Sequence, residues 1–223
     1  MPSFHDFRFL STDGKHNVFA RECTPDGEVR AVLQIAHGVA EHIYRYAPFM
    51  EFLAENGFVV VANDHLGHGK TAENEQELCF FAEKDGWNDV VSDMDTLHKL
   101  TAAKYPGVPY FLFGHSMGSF LTRTYIIDHP EGLKGVVISG TGQNPGAVIA
   151  AGKLMAKLEM IDNGPMYHSP TLDKLAFGSY NKKYDHVRTK LDWLTRDEAV
   201  VDAYIADPLC GAMATAGMFP DMM

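Results

Sequence analysis

The chain has 223 residues, of which 46% are hydrophobic and 22% charged, with a formal net charge of −10. This length supports one domain with a sizeable core, and the acidic balance argues against nucleic acid or an anionic membrane surface as a partner. Cys23, Cys79 and Cys210 are widely separated with no C-x-x-C pair, which fits free thiols in a reducing cytoplasm.

The opening stretch MPSFHDFRFLSTDGKH has no charged-then-apolar leader, and no apolar run nears the ~18 residues of a membrane span, so a cytoplasmic location is expected. Residues 4–10 and 16–23 alternate in polarity around Ser11-Thr12-Asp13-Gly14 and read as a β-hairpin. Residues 29–36 (VRAVLQIA) are nearly all apolar, as in a strand buried on both faces. They end in His37-Gly38-Val39-Ala40-Glu41-His42. A helix is expected over 43–56, with Ile43, Tyr46, Ala47, Phe49, Met50, Leu53 and Ala54 on one face and Gly57 as its stop. Residues 58–62 (FVVVA) read as a core strand leading into Asn63-Asp64-His65-Leu66-Gly67-His68-Gly69-Lys70. Glu73, Glu75 and Glu77 mark a solvated loop. A helix is expected over 87–104, capped by Asn88 or Asp89, with Val90, Val91, Met94, Leu97 and Leu100 inward.

The stretch PYFLFGHSMGSF, residues 109–120, carries the strongest signal. Tyr110 to Phe113 make a short buried strand, and Phe120, Leu121, Tyr125 and Ile126 recur at helical spacing after it. Between them Gly114-His115-Ser116-Met117-Gly118 fits a G-x-S-x-G nucleophile elbow, a sharp turn whose flanking glycines let strand and helix meet without Cβ clashes. The turn also puts Ser116 beside a helix N-terminus, where backbone N–H groups favour a developing anion. Residues 133–139 (LKGVVIS) form one more strand. Strands alternating with helices imply an α/β fold, a mostly parallel sheet with helices on both faces and the hairpin as an edge extension. From Thr141 onward only helical pieces are expected, at 147–160, 171–178 and 196–206. The expected division is a core over 1–140, a helical cap insertion over 141–210, and a return toward the core at 211–223.

Three motifs, HGVAEHIYRYAPF (37–49), NDHLGHGKT (63–71) and FGHSMGS (113–119), together resemble the α/β-hydrolase family. Their order and spacing are similar to the monoacylglycerol lipase and lysophospholipase branch, the serine aminopeptidase S33 type. The likeness covers most of 28–140 and continues more weakly through 192–211. It implies an α/β-hydrolase fold and a serine hydrolase of carboxylic esters, acting through an acyl-enzyme on Ser116. It also implies an oxyanion hole from the N–H groups of Met117 and Val39, with His37, Gly38, Gly114, His115 and Gly118 as supporting positions. No cofactor and no metal are implied. The substrate would be a small acyl ester or lipid-like molecule, with transient membrane-interface contact through the cap.

Such chemistry needs a histidine base and an acid after the serine. After Ser116 the histidines are His129, His168 and His186, and none follows an expected strand. Asp185 with His186, or Asp162 with His168, supplies the order Ser, Asp, His without the strand context. Six strands are expected of the about eight the fold uses, which suggests a chain lacking the family's last strands, acid and base. The 133–139 strand would then have an unpaired edge. Two alternatives stay open: a catalytically dead fragment acting as a binding module, and a peptidase or thioesterase on the same fold. Asp64, His65 and His68 are metal ligands by type, but the resemblance assigns them to the floor of the site. Glu41 and His42 are expected to pair locally. In the 146–160 stretch, Val148, Ile149, Met155 and Leu158 oppose Lys153 and Lys157; they would pack on the domain below, wall an acyl chain or form an interfacial lid. Met155, Met160, Met166, Met213 and Met218 suit a malleable pocket.

Overall fold

A computed structural model describes residues 1–223. The alternating segments around Asp13-Gly14 pair as an antiparallel hairpin, β1 (Ser3–Leu10) and β2 (Asn17–Thr24), with Leu10 opposite Asn17. The apolar runs become β3 (Ala31–Ala36), β4 (Phe58–Asn63), β5 (Tyr110–His115) and β6 (Leu133–Ser139). The sheet order is β1-β2-β4-β3-β5-β6, with the last four strands parallel and β2 joined antiparallel to β4.

The period-two alternation of the strands sorts the core into two sides. Leu33, Ile35, Val60 and Ala62 pack with Met50 and Ala54 of α1 (Ala47–Glu55) on one face. Val32, Val59 and Val61 cluster with Leu97 of α2 (Gly86–Lys104) on the other, where α3 (Met117–Asp128) also packs. The remaining helices are α4 (Gly146–Asn163), α5 (Pro170–Phe177), α6 (Glu198–Ala206) and the single turn α7 (Met218–Asp221). Between 141 and 223 the only β pairing is one isolated bridge, His168 with Thr215.

Two local expectations are corrected, and a third is narrowed. Helix α2 begins at Gly86 after Asp85, which sits at φ 56 and makes no side-chain cap, so Asn88 and Asp89 lie inside the first turn. On the same helix Leu100 faces outward, and Thr101 takes the buried place, its hydroxyl donating to the Leu97 carbonyl at 2.8 Å. On α4 the inner face is built from Gly152 and Ala156, while Val148, Leu154, Met155, Leu158 and Ile161 are exposed. Small residues win that face because α4 lies close on the end of the chain. A Cβ on Gly152 would stand 2.8 Å from the Met223 side chain and 3.4 Å from Phe219. Strand β6 closes one end of the sheet order and pairs only with β5, leaving Val137 at 51% exposure.

Candidate active site

Strand β5 ends at His115 and helix α3 begins at Met117, so Ser116 alone makes the junction, at φ 52 and ψ −119. A non-glycine residue at positive φ is uncommon and is held only where its surroundings over-determine it. The surroundings here are tight. A Cβ on Gly114 would overlap the Gly118 carbonyl and the Thr122 hydroxyl, and a Cβ on Gly118 would overlap the carbonyl of Ala36. The Ser116 N–H donates to the Ser139 carbonyl at 2.9 Å, tying the turn to the end of β6.

Parallel pairing brings a second loop to the same place. Ala36 of β3 stands opposite Gly114 of β5, so both strands deliver their loops at the carboxyl edge of the sheet. Gly38 lies against the serine: a Cβ there would be 3.2 Å from Ser116 Cβ and 2.7 Å from Glu41 Oε1. The Gly38 N–H donates to Glu41 Oε1 at 2.6 Å, and Tyr46 donates its hydroxyl to the same oxygen at 2.7 Å. Arg45 pairs with the other carboxylate oxygen. Glu41 therefore pairs with Arg45 rather than with His42, correcting the expected local pair. His42 reaches across the molecule instead, donating Nε2–H to Asp207 Oδ2 at 2.8 Å. Between these anchors the Val39 N–H has no partner within the chain. The Met117 N–H, as the first of α3, has no intrahelical acceptor.

His37 is fully buried and both ring nitrogens are occupied. Nδ1 donates to the Gly38 carbonyl at 2.7 Å, and Nε2 accepts the His65 N–H at 3.0 Å. Its ring lies 4.2 Å from that of His65, centroid to centroid, and 5.2 Å from that of His68. Burial pushes His37 and His68 down to about 3, so both are neutral rings that shape the loop floor. Asp64 accepts from the N–H groups of Ile43 at 2.9 Å and Lys70 at 2.8 Å, and His68 donates Nδ1–H to the Leu66 carbonyl at 2.9 Å. Asp64, His37 and His68 thus hold loops, while the buried His65 Nε2 has no hydrogen-bond partner.

His115 sits beside the serine with Nδ1 3.4 Å from Ser139 Oγ. The later histidines are elsewhere: His129 beside Asp95 at 3.8 Å, His168 donating to the Met213 carbonyl at 2.8 Å, and His186 exposed with Asp185. None of them hydrogen-bonds the Ser116 hydroxyl.

A cavity of about 640 Å³ is lined by Val39 and Ala40 together with Phe177, Leu191, Trp193, Tyr204 and Met213; Ser116 is not among its lining residues. Phe177 stacks on Trp193, and Tyr180 meets Trp193 edge-on at 4.8 Å. Of the five methionines expected to soften a pocket, only Met213 lines this one, while Met218 is core. The aromatic cluster and the His42–Asp207 pair were not anticipated from sequence. The aromatics are spread over 177–193 without period, and the pair spans 165 positions.

A largely parallel sheet that presents a serine on a strand–turn–helix junction, facing a His-Gly loop from the next strand, defines the α/β-hydrolase class. Within that class the chain belongs to the family described as serine aminopeptidase, S33, whose model matches residues 27–223. It is 30% identical over 191 residues to a monoacylglycerol lipase of Mycolicibacterium smegmatis, covering 83% of this chain and 58% of that one. Against the monoglyceride lipase of Mus musculus the identity is 29% over 202 residues, covering 90% and 58%. The chain thus spans less than two thirds of these lipases' length. A thermostable carboxyl esterase from Bacillus coagulans, solved in complex with glycerol, superposes with a TM-score of 0.88 at 30% identity, covering 99% of this chain and 71% of the esterase.

Proposed function

We propose that this chain carries the nucleophile and oxyanion hole of a carboxylic-ester hydrolase resembling monoacylglycerol lipase. The observation that carries the reading is Ser116 on its elbow, packed against the Gly38-Val39 loop, with the Val39 and Met117 amides unpartnered. In this mechanism Ser116 Oγ attacks the ester carbonyl carbon while its proton passes to a base. The tetrahedral oxyanion accepts N–H bonds from Val39 and Met117. Collapse breaks the bond to the alcohol oxygen, the alcohol leaves with a proton, and water later hydrolyses the acyl-Ser116 ester. The aromatic-lined cavity beside Val39 suits a short or medium acyl chain. The names of the relatives and the glycerol in the Bacillus coagulans esterase support a monoacylglycerol-like ester.

In this reading residues 141–210 are a cap over the carboxyl edge of the sheet. The exposed Leu154, Leu158 and Ile161 of α4, flanked by Lys153 and Lys157, would touch a lipid interface transiently. No helix is long and apolar enough to cross a membrane. Three free thiols support the cytoplasmic assignment.

With no histidine bonded to Ser116 Oγ, the 223-residue chain is expected to turn over slowly by itself. Removing the triad histidine costs on the order of a millionfold in a comparable hydrolase. The same observation favours a second reading, a module that binds esters without cleaving them. p-Nitrophenyl butyrate hydrolysis read beside fluorophosphonate labelling separates the two. Because a serine without its base adds little to hydrolysis, the first reading expects residual turnover together with slow fluorophosphonate labelling that Ser116→Ala abolishes. Fluorophosphonate labelling that persists in Ser116→Ala, or is absent from Ser116 in the parent, contradicts it, and ester binding with neither turnover nor labelling supports the second.

A further inference from the structure

The carbonyl oxygen of Ala40 accepts two hydrogen bonds, both from one distant segment. Tyr204 of α6 donates its hydroxyl at 2.6 Å, and Gly211 donates its N–H at 2.9 Å. Two residues along the loop, His42 donates to Asp207 of that segment. Three bonds from Tyr204–Gly211 therefore converge on 40–42. Ala40 stands at φ 56, a backbone state that a residue with a Cβ keeps only when held. On the other flank the Gly38 N–H is fixed by Glu41. Arg45 joins the two anchors: it pairs with Glu41, and its guanidinium lies 4.8 Å from the centre of the Tyr204 ring. Val39 lies between these fixed points, and Val39, Ala40, Tyr204 and Gly211 all face the 640 Å³ cavity.

We infer that Tyr204, Asp207 and Gly211 form a clamp that positions the Val39 amide, so that the cap belongs to the oxyanion machinery as well as covering it. The inference rests on Val39 being the proposed oxyanion donor. Tyr204 and Asp207 are positioning residues: they touch Ala40 and His42, and act on the reacting oxygen only through the loop. Lifting the cap breaks the Tyr204 and Asp207 bonds together, leaves the Ala40 carbonyl held by Gly211 alone and lets the Gly38–Ala40 backbone relax. A closed cap and a formed oxyanion hole are then one state, and a molecule seated in the cavity lies against the clamp itself.

The test compares the chain with Tyr204→Phe and Asp207→Ala, using Tyr184→Phe, an exposed tyrosine, as control. Two quantities are read. One is hydrogen exchange in the peptide 36–44, where the Gly38 amide reports on the loop. The other is phosphonylation of Ser116 by a fluorophosphonate in imidazole buffer, separated into its maximal rate and its half-saturating concentration. Loss of one clamp bond is expected to raise loop exchange by about fivefold to tenfold, matching the usual worth of a single hydrogen bond. The maximal phosphonylation rate falls by a similar factor, the half-saturating concentration stays within about twofold, and Tyr184→Phe changes neither. Loop exchange equal to the parent's, or a rise spread evenly over the chain, overturns the clamp. Faster loop exchange with an unchanged phosphonylation rate overturns its role in positioning Val39. If the parent is not phosphonylated at all, the nucleophile assignment fails and the exchange result still decides the clamp.

Discussion

Ser116 holds a strained backbone that only the packing of β5, α3 and the β3 loop sustains. Glycine adopts that conformation without the Cβ penalty, so Ser116→Gly is expected to stabilise the fold by about 1 kcal/mol in urea unfolding while removing all fluorophosphonate labelling. A destabilised variant would mean that the turn is relaxed. Below the serine, His37 and His68 are expected to stay neutral, because burial holds both near 3, below the ordinary 6.5. Their ring resonances in NMR should not move between pH 7 and 5, and a midpoint near 6.5 for either would contradict the buried floor. The sign for stability follows. In this pH range the unfolded chain binds protons that the folded rings refuse. Each histidine's contribution is full above pH 6.5 and is lost as pH falls toward 3.

At the scale of elements, the elbow depends on how closely α3 approaches β3. Gly118→Ala puts a methyl into the Ala36 carbonyl, which backbone cannot evade, and is expected to cost about 1–3 kcal/mol as overpacking. Helix α4 makes a paired prediction about its faces. Ala156→Leu crowds the buried side and should cost about 1–3 kcal/mol, whereas Leu158→Glu on the exposed side should change stability by less than about 0.5 kcal/mol. The reverse order in urea unfolding would show that the large apolar residues face inward. On this face the sequence left packing, an acyl-chain wall and an interfacial lid all open. Helical period marks an apolar stripe, but it does not say whether Leu and Met or Gly and Ala meet the neighbour. That depends on how near the chain end lies to Gly152. The strands were legible for the opposite reason. A short strand covered on both faces must be apolar throughout, as in residues 31–36 and 58–62, and a strand–helix turn through serine requires glycines at 114 and 118.

Across the whole molecule, the sheet ends on β6 with Val137 and Ile138 exposed at an edge whose far side has no strand. Sequence located the serine, its loop and its scaffold, because those signals are local. It missed what joins the 141–210 region to the core, since His42 with Asp207 and Ala40 with Tyr204 are single contacts between segments more than 160 positions apart. Ser116 and its proposed oxyanion donors stand without a histidine at hand. The most direct measurement is mass-spectrometric fluorophosphonate labelling with and without added imidazole, a diffusible base. Slow labelling confined to Ser116 and accelerated by imidazole is expected. Labelling that is already fast and indifferent to imidazole, or none at Ser116 under either condition, would contradict this reading.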